Sequence, residues 1–144
     1  MEWYISPYIL AVALSWIIAQ GIKYIVAIVK DRNVHHLRQL YLSGNMPSAH
    51  SATVVSMATI IGLTQGIDTP LFGLATLFAS VVMYDAMMVR RSSGEQGIAV
   101  QQLIKETHSK AQLPRAAKGH TPEEVLAGAF LGAIIGAVVF LATI

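Results

Sequence analysis

The sequence predicts an all-α integral membrane protein, a bundle of about four transmembrane helices with a short interfacial helix, in one domain over residues 1–144. Hydrophobic residues make up 54% of the chain and charged residues only 12%, whereas soluble domains carry about 25% charged residues. The chain also contains four long apolar stretches, and all ten Lys and Arg residues fall toward the same side of them. The net charge of +2 is too small to indicate nucleic-acid binding.

Each apolar stretch is long enough to cross a bilayer as a helix, which takes about 20 residues with shorter spans tolerated. The stretches are Pro7–Val29, Ser48–Gly66, Pro70–Val89 and Val125–Ile144. No Lys or Arg precedes the first, so the N-terminus lacks the basic region of a signal peptide and we expect this helix to be retained. Gly128, Gly132 and Gly136 repeat at every fourth position of the last stretch, which favours close helix packing in lipid and permits a homodimer.

The connections between the spans differ in length and charge. They are a tight turn, Gln65–Thr69, and two long basic segments, Lys30–Pro47 and Arg90–Thr121. The second long segment contains a predicted helix, Gly97–His108, whose apolar stripe of Ile98, Leu103 and Ile104 suits the membrane interface. Four spans put both long segments on one side and both termini on the other. Because positive charge in short loops marks the cytoplasmic face, we expect the long segments inside and the termini outside.

Polar residues cluster where these segments meet the helices. In MPSAHSA, Met46–Ala52, Ser48 can cap the second span, and His50 follows in its first turn, where a helix N-terminus attracts anions. Asp85 lies in the otherwise apolar third span, where a carboxylate needs a partner or a role, and Arg90 and Arg91 follow it. A structural ion pair and a catalytic acid are both open interpretations of Asp85.

The start of the last span adds a second histidine. Thr121 and Glu124 fit a capping box, which leaves His120 and the upstream Arg115 unexplained. Lys23 and Lys30 lie seven residues apart on one helical face, although snorkelling of Lys23 to the interface is the simpler interpretation.

Taken together, two histidines, several cations and two helix N-termini face one volume. Such a site suits phosphoryl transfer, because cations and N–H groups stabilise the phosphate oxygens. One imidazole can attack phosphorus while the other protonates the leaving oxygen. The absence of cysteine excludes thiolate metal sites and cysteine nucleophiles, and the histidines show no zinc-motif spacing, so we expect neither a metal nor a cofactor.

These runs resemble the divergent branch of the type 2 phosphatidic acid phosphatase superfamily, which also includes vanadium haloperoxidases. PSAH, Pro47–His50, is similar to the superfamily's PSGH motif, with alanine in place of glycine. Arg115, His120 and Glu124 are similar to a second motif, and Lys23 with Lys30 has the spacing of a third. YDAMMVRRSSGEQG and GHTPEEVLAG are typical of the divergent branch.

The resemblance implies a metal-independent phosphatase that acts on a lipid phosphate in the bilayer. By this resemblance His120 is the nucleophile, Glu124 orients it, and His50 is the general acid. The phosphate-binding residues would be Lys23, Lys30, Ser48 and Arg115, with Arg90 and Arg91 from the branch's own motif. Two other functions fit the same residues: a non-catalytic phospholipid-binding or transport protein, whose cationic pocket holds a head group, and a structural membrane subunit.

Overall fold

The computed structural model describes residues 5–31, 46–114 and 116–143, with backbone only at residues 30 and 31. Within these ranges every regular element is a helix and no strand occurs. The elements are α1 (Pro7–Asp31), α2 (Ala49–Gln65), α3 (Pro70–Tyr84), α4 (Arg90–Glu106) and α5 (Pro122–Thr143). One turn of π-helix, Asp85–Val89, joins α3 to α4. The predicted all-α membrane bundle is therefore confirmed.

Three helices of the described chain are long and apolar enough to cross a membrane: Pro7–Val29, the continuous helix Pro70–Glu106, and Pro122–Thr143. The predicted second span corresponds to α2, which has 17 residues and so measures about 25 Å, the lower limit for a span. α2 nevertheless packs against all three long helices. It runs antiparallel to α1 and parallel to α5, so the N-termini of α2 and α5 lie at the same end of the bundle.

The expected short helix Gly97–His108 differs in the structure, because it is the second half of α4, which begins at Arg90. The continuous helix of 37 residues is about 55 Å long, well beyond the roughly 30 Å of the hydrocarbon core. Since the basic residues of this helix begin at Arg90, α4 is the part that extends past the core. Ile98 and Leu103 of the predicted apolar stripe remain exposed.

Small residues form the centre of the bundle. The buried face of α1 repeats at every fourth position: Ala11, Ser15, Ala19, Lys23 and Ala27. On α5, an added methyl group at Gly128, Gly132 or Gly136 would overlap the carbonyl oxygen of Ser48, Ala52 or Ser56 of α2, respectively. Most large apolar side chains point outward instead, and Ile60 and Ile135 are among the few that are buried. Packing of this kind is typical of helices in lipid, where burying large side chains brings no hydrophobic gain and close backbone approach does.

The position of these three glycines bears on the homodimer that the sequence permits. Gly128, Gly132 and Gly136 pack against α2 of the same chain, so they do not offer a free surface to a second copy. The homodimer therefore remains a prediction, and the glycine repeat does not support it.

The end of the bundle at which α1 begins and α5 ends is closed by turns and by polar contacts between helices. Gly66, with φ 95°, ends α2, and Thr69 caps α3 by accepting a hydrogen bond from the Phe72 N–H. The hydroxyl groups of Tyr8 and Thr64 lie 3.1 Å apart and connect α1 to α2. All of the predicted histidine chemistry lies at the opposite end.

Candidate active site

The N-termini of α2 and α5 meet at that opposite end. The Ser48 hydroxyl accepts a hydrogen bond from the Ser51 N–H, 3.3 Å, and caps α2 as predicted. The Ser48 N–H in turn donates to the Glu124 carbonyl oxygen in the first turn of α5, 2.9 Å. This main-chain contact fixes the start of α2 against the start of α5, and so brings the segments that carry His50 and His120 together.

His120 and Glu124 form a buried pair. The His120 Nδ1 lies 2.8 Å from Glu124 Oε2, and the histidine side chain is fully buried. Because a carboxylate only accepts, Nδ1 carries the proton and Nε2 carries the lone pair. The Nε2 atom is buried and has no hydrogen-bond partner among the described residues.

The same carboxylate also completes the predicted capping box. Glu124 Oε2 accepts from the Thr121 N–H, 3.3 Å, while the Glu124 N–H donates to the Thr121 hydroxyl, 3.4 Å. Capping and orienting His120 are therefore compatible roles, because one oxygen accepts from both donors. The cap restricts the Glu124 rotamer and so presents the carboxylate to the imidazole.

The main chain of His120 is held by the π-turn. Its N–H donates to the Ala86 carbonyl oxygen, 2.9 Å. The approach of the two segments is close, since a β-carbon on Gly119 would overlap the Arg91 backbone and one on Gly94 would overlap the Ala117 carbonyl. π-turns are frequent at functional sites, and this one anchors the backbone of the predicted nucleophile.

His50 faces His120 from α2. The ring centroids lie 6.1 Å apart with an interplanar angle of 65°. The His50 Nε2 is 3.5 Å from an Nη of Arg90, and the Nδ1 of His50 is buried without a partner among the described residues. A guanidinium can only donate, so Nε2 accepts and the His50 proton lies on Nδ1. The two rings thus leave one free lone pair, on His120, and one free N–H, on His50.

Arg90 is in turn bound to Asp85, whose Oδ2 accepts from the guanidinium Nε at 2.7 Å. The prediction that Asp85 pairs with a basic residue of its cluster is therefore confirmed for Arg90. Asp85 forms this ion pair across the π-turn. Among the hydrogen bonds of the described residues, Asp85 makes none with either imidazole.

Lys23 reaches the same region from α1. Its side chain is 4% exposed, and its charge interacts with both Glu124 and His50. Snorkelling to the interface is therefore the wrong interpretation of Lys23. Its helical neighbours Ala19 and Ala27 are also buried, so this face of α1 turns into the bundle and carries the ammonium group with it.

Comparison with known proteins identifies the family of this chain. Residues 5–135 match the family described as Divergent PAP2 family. The chain belongs to this family. A relative is the uncharacterized membrane protein YuiD of Bacillus subtilis (strain 168), 33% identical over 108 residues, which cover 65% of this chain and 68% of the relative. No solved structure matches the chain.

Most of the expected site residues of this Divergent PAP2 family chain converge. His50, His120, Glu124, Lys23 and Arg90 are linked by hydrogen bonds, a ring contact and electrostatic interactions, and Asp85 pairs with Arg90. Ser48 is fully buried at the start of α2, and its hydroxyl accepts from Ser51 through both N–H and O–H.

Arg91 is the exception among the described candidates. Its guanidinium is exposed, pairs with Glu95 at 3.2 Å, and lines a surface depression of about 350 Å³ between α4 and residues 116–121. His120 also lines this depression, but the hydrogen bonds of the described residues include none between Arg91 and either imidazole. The Lys30 side chain and Arg115 lie outside the described residues, so their expected phosphate-binding roles remain predictions.

One contributor to this site was not expected from the sequence, namely the Ala86 carbonyl within the π-turn. A main-chain carbonyl can belong to any residue type, so the sequence does not mark it. The unusual five-residue spacing of Asp85 and Arg90 is the only feature of the sequence that indicates the π-turn. In the part of the chain that the structure describes, no group of three potential ligands is placed to hold a metal ion.

Proposed function

We propose that this protein is an integral membrane phosphatase that hydrolyses a lipid phosphate or diphosphate through a phosphohistidine, without a metal ion. The observation that supports this most directly is the complementary state of the two histidines. His120 keeps a free lone pair because Glu124 holds its other nitrogen, and His50 keeps a free N–H because Arg90 occupies its other nitrogen. A nucleophile and a proton donor are what the first step of such a reaction needs.

In the first step the His120 Nε2 lone pair forms a bond to phosphorus, and the bond from phosphorus to the leaving oxygen breaks. His50 gives its Nδ1 proton to that oxygen, so the lipid leaves as an alcohol, or as a monophosphate if the substrate is a diphosphate. His50 becomes an imidazolate, whose negative charge is stabilised by the Arg90 guanidinium at Nε2. Glu124 stabilises the positive charge that develops on the His120 ring.

In the second step water attacks phosphorus and the bond between nitrogen and phosphorus breaks. The His50 imidazolate accepts a proton from the water, which restores both residues and releases inorganic phosphate. Lys23 and Arg90 supply positive charge for the phosphate oxygens in both steps.

The substrate has to reach a covered group. Because the His120 side chain is fully buried, a bound phosphate must displace neighbouring side chains before it meets Nε2. The cationic end of the bundle lies next to apolar spans, so a molecule with a phosphate on an apolar tail can approach from the membrane.

The test is phosphate release by the purified protein in detergent, across a panel of lipid phosphates and diphosphates with a chelator present. We expect release by the wild type, loss of release in His120→Ala, and inhibition by vanadate. His108→Asn is the matched control, because His108 is an exposed histidine outside the site and its positive φ of 51° suits asparagine. Turnover that survives His120→Ala would refute the mechanism.

The full burial of His120 favours a second candidate, a non-catalytic phospholipid-binding or transport protein. In that case the cationic pocket would hold a lipid head group, as anionic lipids bind in basic pockets between helices. Head-group binding that persists in His120→Ala, together with no phosphate release from any lipid by the wild type, would establish this function instead.

We further propose that the histidine end faces the cytoplasm, as the distribution of Lys and Arg indicates. The chain contains no cysteine, so single cysteines can report its sidedness. In intact cells, a membrane-impermeant maleimide should label Asp68→Cys at the opposite end and spare Ser109→Cys until the cells are opened. The reverse pattern would place the histidines outside.

A further inference from the structure

The π-turn Asp85–Val89 makes possible an ion pair that an α-helix would not form. Asp85 and Arg90 are five residues apart, and the Arg90 N–H donates to the Asp85 carbonyl oxygen in the i to i−5 pattern. In an α-helix such residues would point about 140° apart around the axis, whereas ion pairs on helices form at spacings of three or four. The wider turn lets Asp85 Oδ2 meet the Arg90 Nε at 2.7 Å.

This ion pair determines which part of Arg90 faces the site. Asp85 engages the guanidinium through Nε, and an Nη lies 3.5 Å from the His50 Nε2. The guanidinium is planar and has donors only, so its partner nitrogen on the imidazole must be the acceptor. The proton of neutral His50 is thereby confined to Nδ1.

We propose that Arg90 is a positioning residue that selects the Nδ1–H tautomer of His50, and that Asp85 acts through Arg90 by holding it in place across the π-turn. The contact leaves the acidic proton of His50 on the nitrogen that no other described group occupies. The later transfer of this proton to a leaving oxygen rests on the proposed function. The tautomer itself does not depend on it.

The other charged groups around His50 do not compete for this role. Lys23, Asp85 and His120 interact with His50 electrostatically, but among the described residues Arg90 is the group that lies within hydrogen-bond distance of a ring nitrogen. The same turn also holds His120 through the Ala86 carbonyl. One turn of helix therefore positions both imidazoles, one through its main chain and the other through a side-chain ion pair.

The tautomer is measured by nitrogen NMR on protein with ¹⁵N-labelled histidine rings, in detergent, at a pH where imidazole is neutral. Protonated and unprotonated ring nitrogens have well-separated shifts, and His50→Asn identifies the signals of His50. We expect Nδ1–H for His50 in the wild type. In Arg90→Met, which keeps side-chain length but has no donor, we expect the population to move mostly to Nε2–H, the form that free imidazole side chains favour in water.

The role of Asp85 is tested by a double-mutant cycle. Asp85→Asn should give a mixture of tautomers and slow phosphate release, and the double variant Asp85→Asn with Arg90→Met should match Arg90→Met alone. Glu95→Gln is the control, since it removes a carboxylate that pairs with an arginine on the same helix but away from the histidines. It should leave both the His50 signals and the rate unchanged. Circular dichroism and thermal melts show whether each variant folds.

The outcomes separate this inference from the proposed function. Nε2–H on His50 in the folded wild type, or Nδ1–H retained in folded Arg90→Met, would overturn the role of Arg90 even if the enzyme is active. If Asp85→Asn slowed phosphate release by the same factor in the Arg90→Met background as in the wild type, the role of Asp85 would be overturned. The expected tautomers in a protein that releases phosphate from no lipid would support the positioning role while the proposed function fails. Should Arg90→Met not fold, Arg90→Lys, whose ammonium cannot reach both Asp85 and His50 as the guanidinium does, is judged by the same signals.

Discussion

The substitution Glu124→Gln separates the two roles that the structure gives to one carboxylate. Glutamine can serve in a capping box, so the contact with the Thr121 N–H should survive and the stability of the protein should change little. The contact with His120 changes from a hydrogen bond to a charged carboxylate into a hydrogen bond to a neutral amide. A hydrogen bond to a charged group contributes about 1.5–3 kcal/mol, and a neutral one about 0.5–1.5 kcal/mol.

The difference of about 1 kcal/mol or more corresponds to about a fivefold to tenfold slower reaction if the positive charge on His120 develops fully. The amide can also turn its NH₂ group toward Nδ1 and so reverse the tautomer, which in the Ser-His-Asp triad lowers kcat by about 10⁴-fold. We therefore expect a loss of between about fivefold and about 10⁴-fold in the rate of phosphate release.

Thr121→Ala is the matched opposite change. It removes the hydroxyl that accepts from the Glu124 N–H and should cost about 0.5–2 kcal/mol of stability, while the carboxylate still reaches His120 and the rate stays close to that of the wild type. Both variants are compared by thermal melts in detergent and by phosphate release. If the activity of the two variants simply followed their stability, Glu124 would be a helix cap and nothing more.

Two further predictions concern packing and charge. Gly128→Ala should lower both stability and phosphate release, because its methyl group would overlap the Ser48 carbonyl beside the histidines, whereas Gly136→Ala, which crowds α2 far from the site, should lower the melting temperature alone. Gly73→Ala meets no neighbour and should be neutral or stabilising by up to about 1 kcal/mol. Lys23→Met should fold at least as well as the wild type, since it removes a buried charge, and should bind vanadate at least about tenfold more weakly in an inhibition assay. Unchanged inhibition would exclude Lys23 from the phosphate site.

The helices were predictable because a bilayer leaves the backbone few alternatives. A chain in lipid must satisfy its own N–H and C=O groups, so apolar length and caps define the elements. The expected first span, Pro7–Val29, ends within two residues of α1, whereas the helix that contains the expected third span, Pro70–Val89, continues to Glu106. Thr121 and Pro122 mark the start of α5 more accurately than the apolar stretch, which begins only at Val125.

The position of Lys23 could have been read from the sequence, because it continues the series of small residues from Ala11 through Ser15 and Ala19 to Ala27. A lysine in such a series faces a neighbouring helix and not the lipid. The interpretation as a snorkelling side chain considered only the distance of Lys23 from the end of the helix, and it was wrong because the helical face decides burial here.

The contact between Asp85 and Arg90 could not have been read in the same way. The sequence indicates that Asp85 needs a basic partner, but at a spacing of five an α-helix would separate the two side chains. The π-turn that joins them depends on contacts from elsewhere in the chain, including the hydrogen bond from the His120 N–H to the Ala86 carbonyl. Such a turn follows from tertiary packing, which local propensity does not encode.

The geometry of the site depends on main-chain contacts more than on the motif residues themselves. The Ser48 N–H bonds to the Glu124 carbonyl and the His120 N–H to the Ala86 carbonyl, so two backbone hydrogen bonds fix the segments that carry the two imidazoles. This explains how Ala49 can stand where the related superfamily motif has glycine. Its methyl group is buried and packs against small residues of α1 and α2, away from the main-chain contact that matters. The motif can therefore vary at this position without moving His50, provided that Gly128 continues to let α5 approach the start of α2.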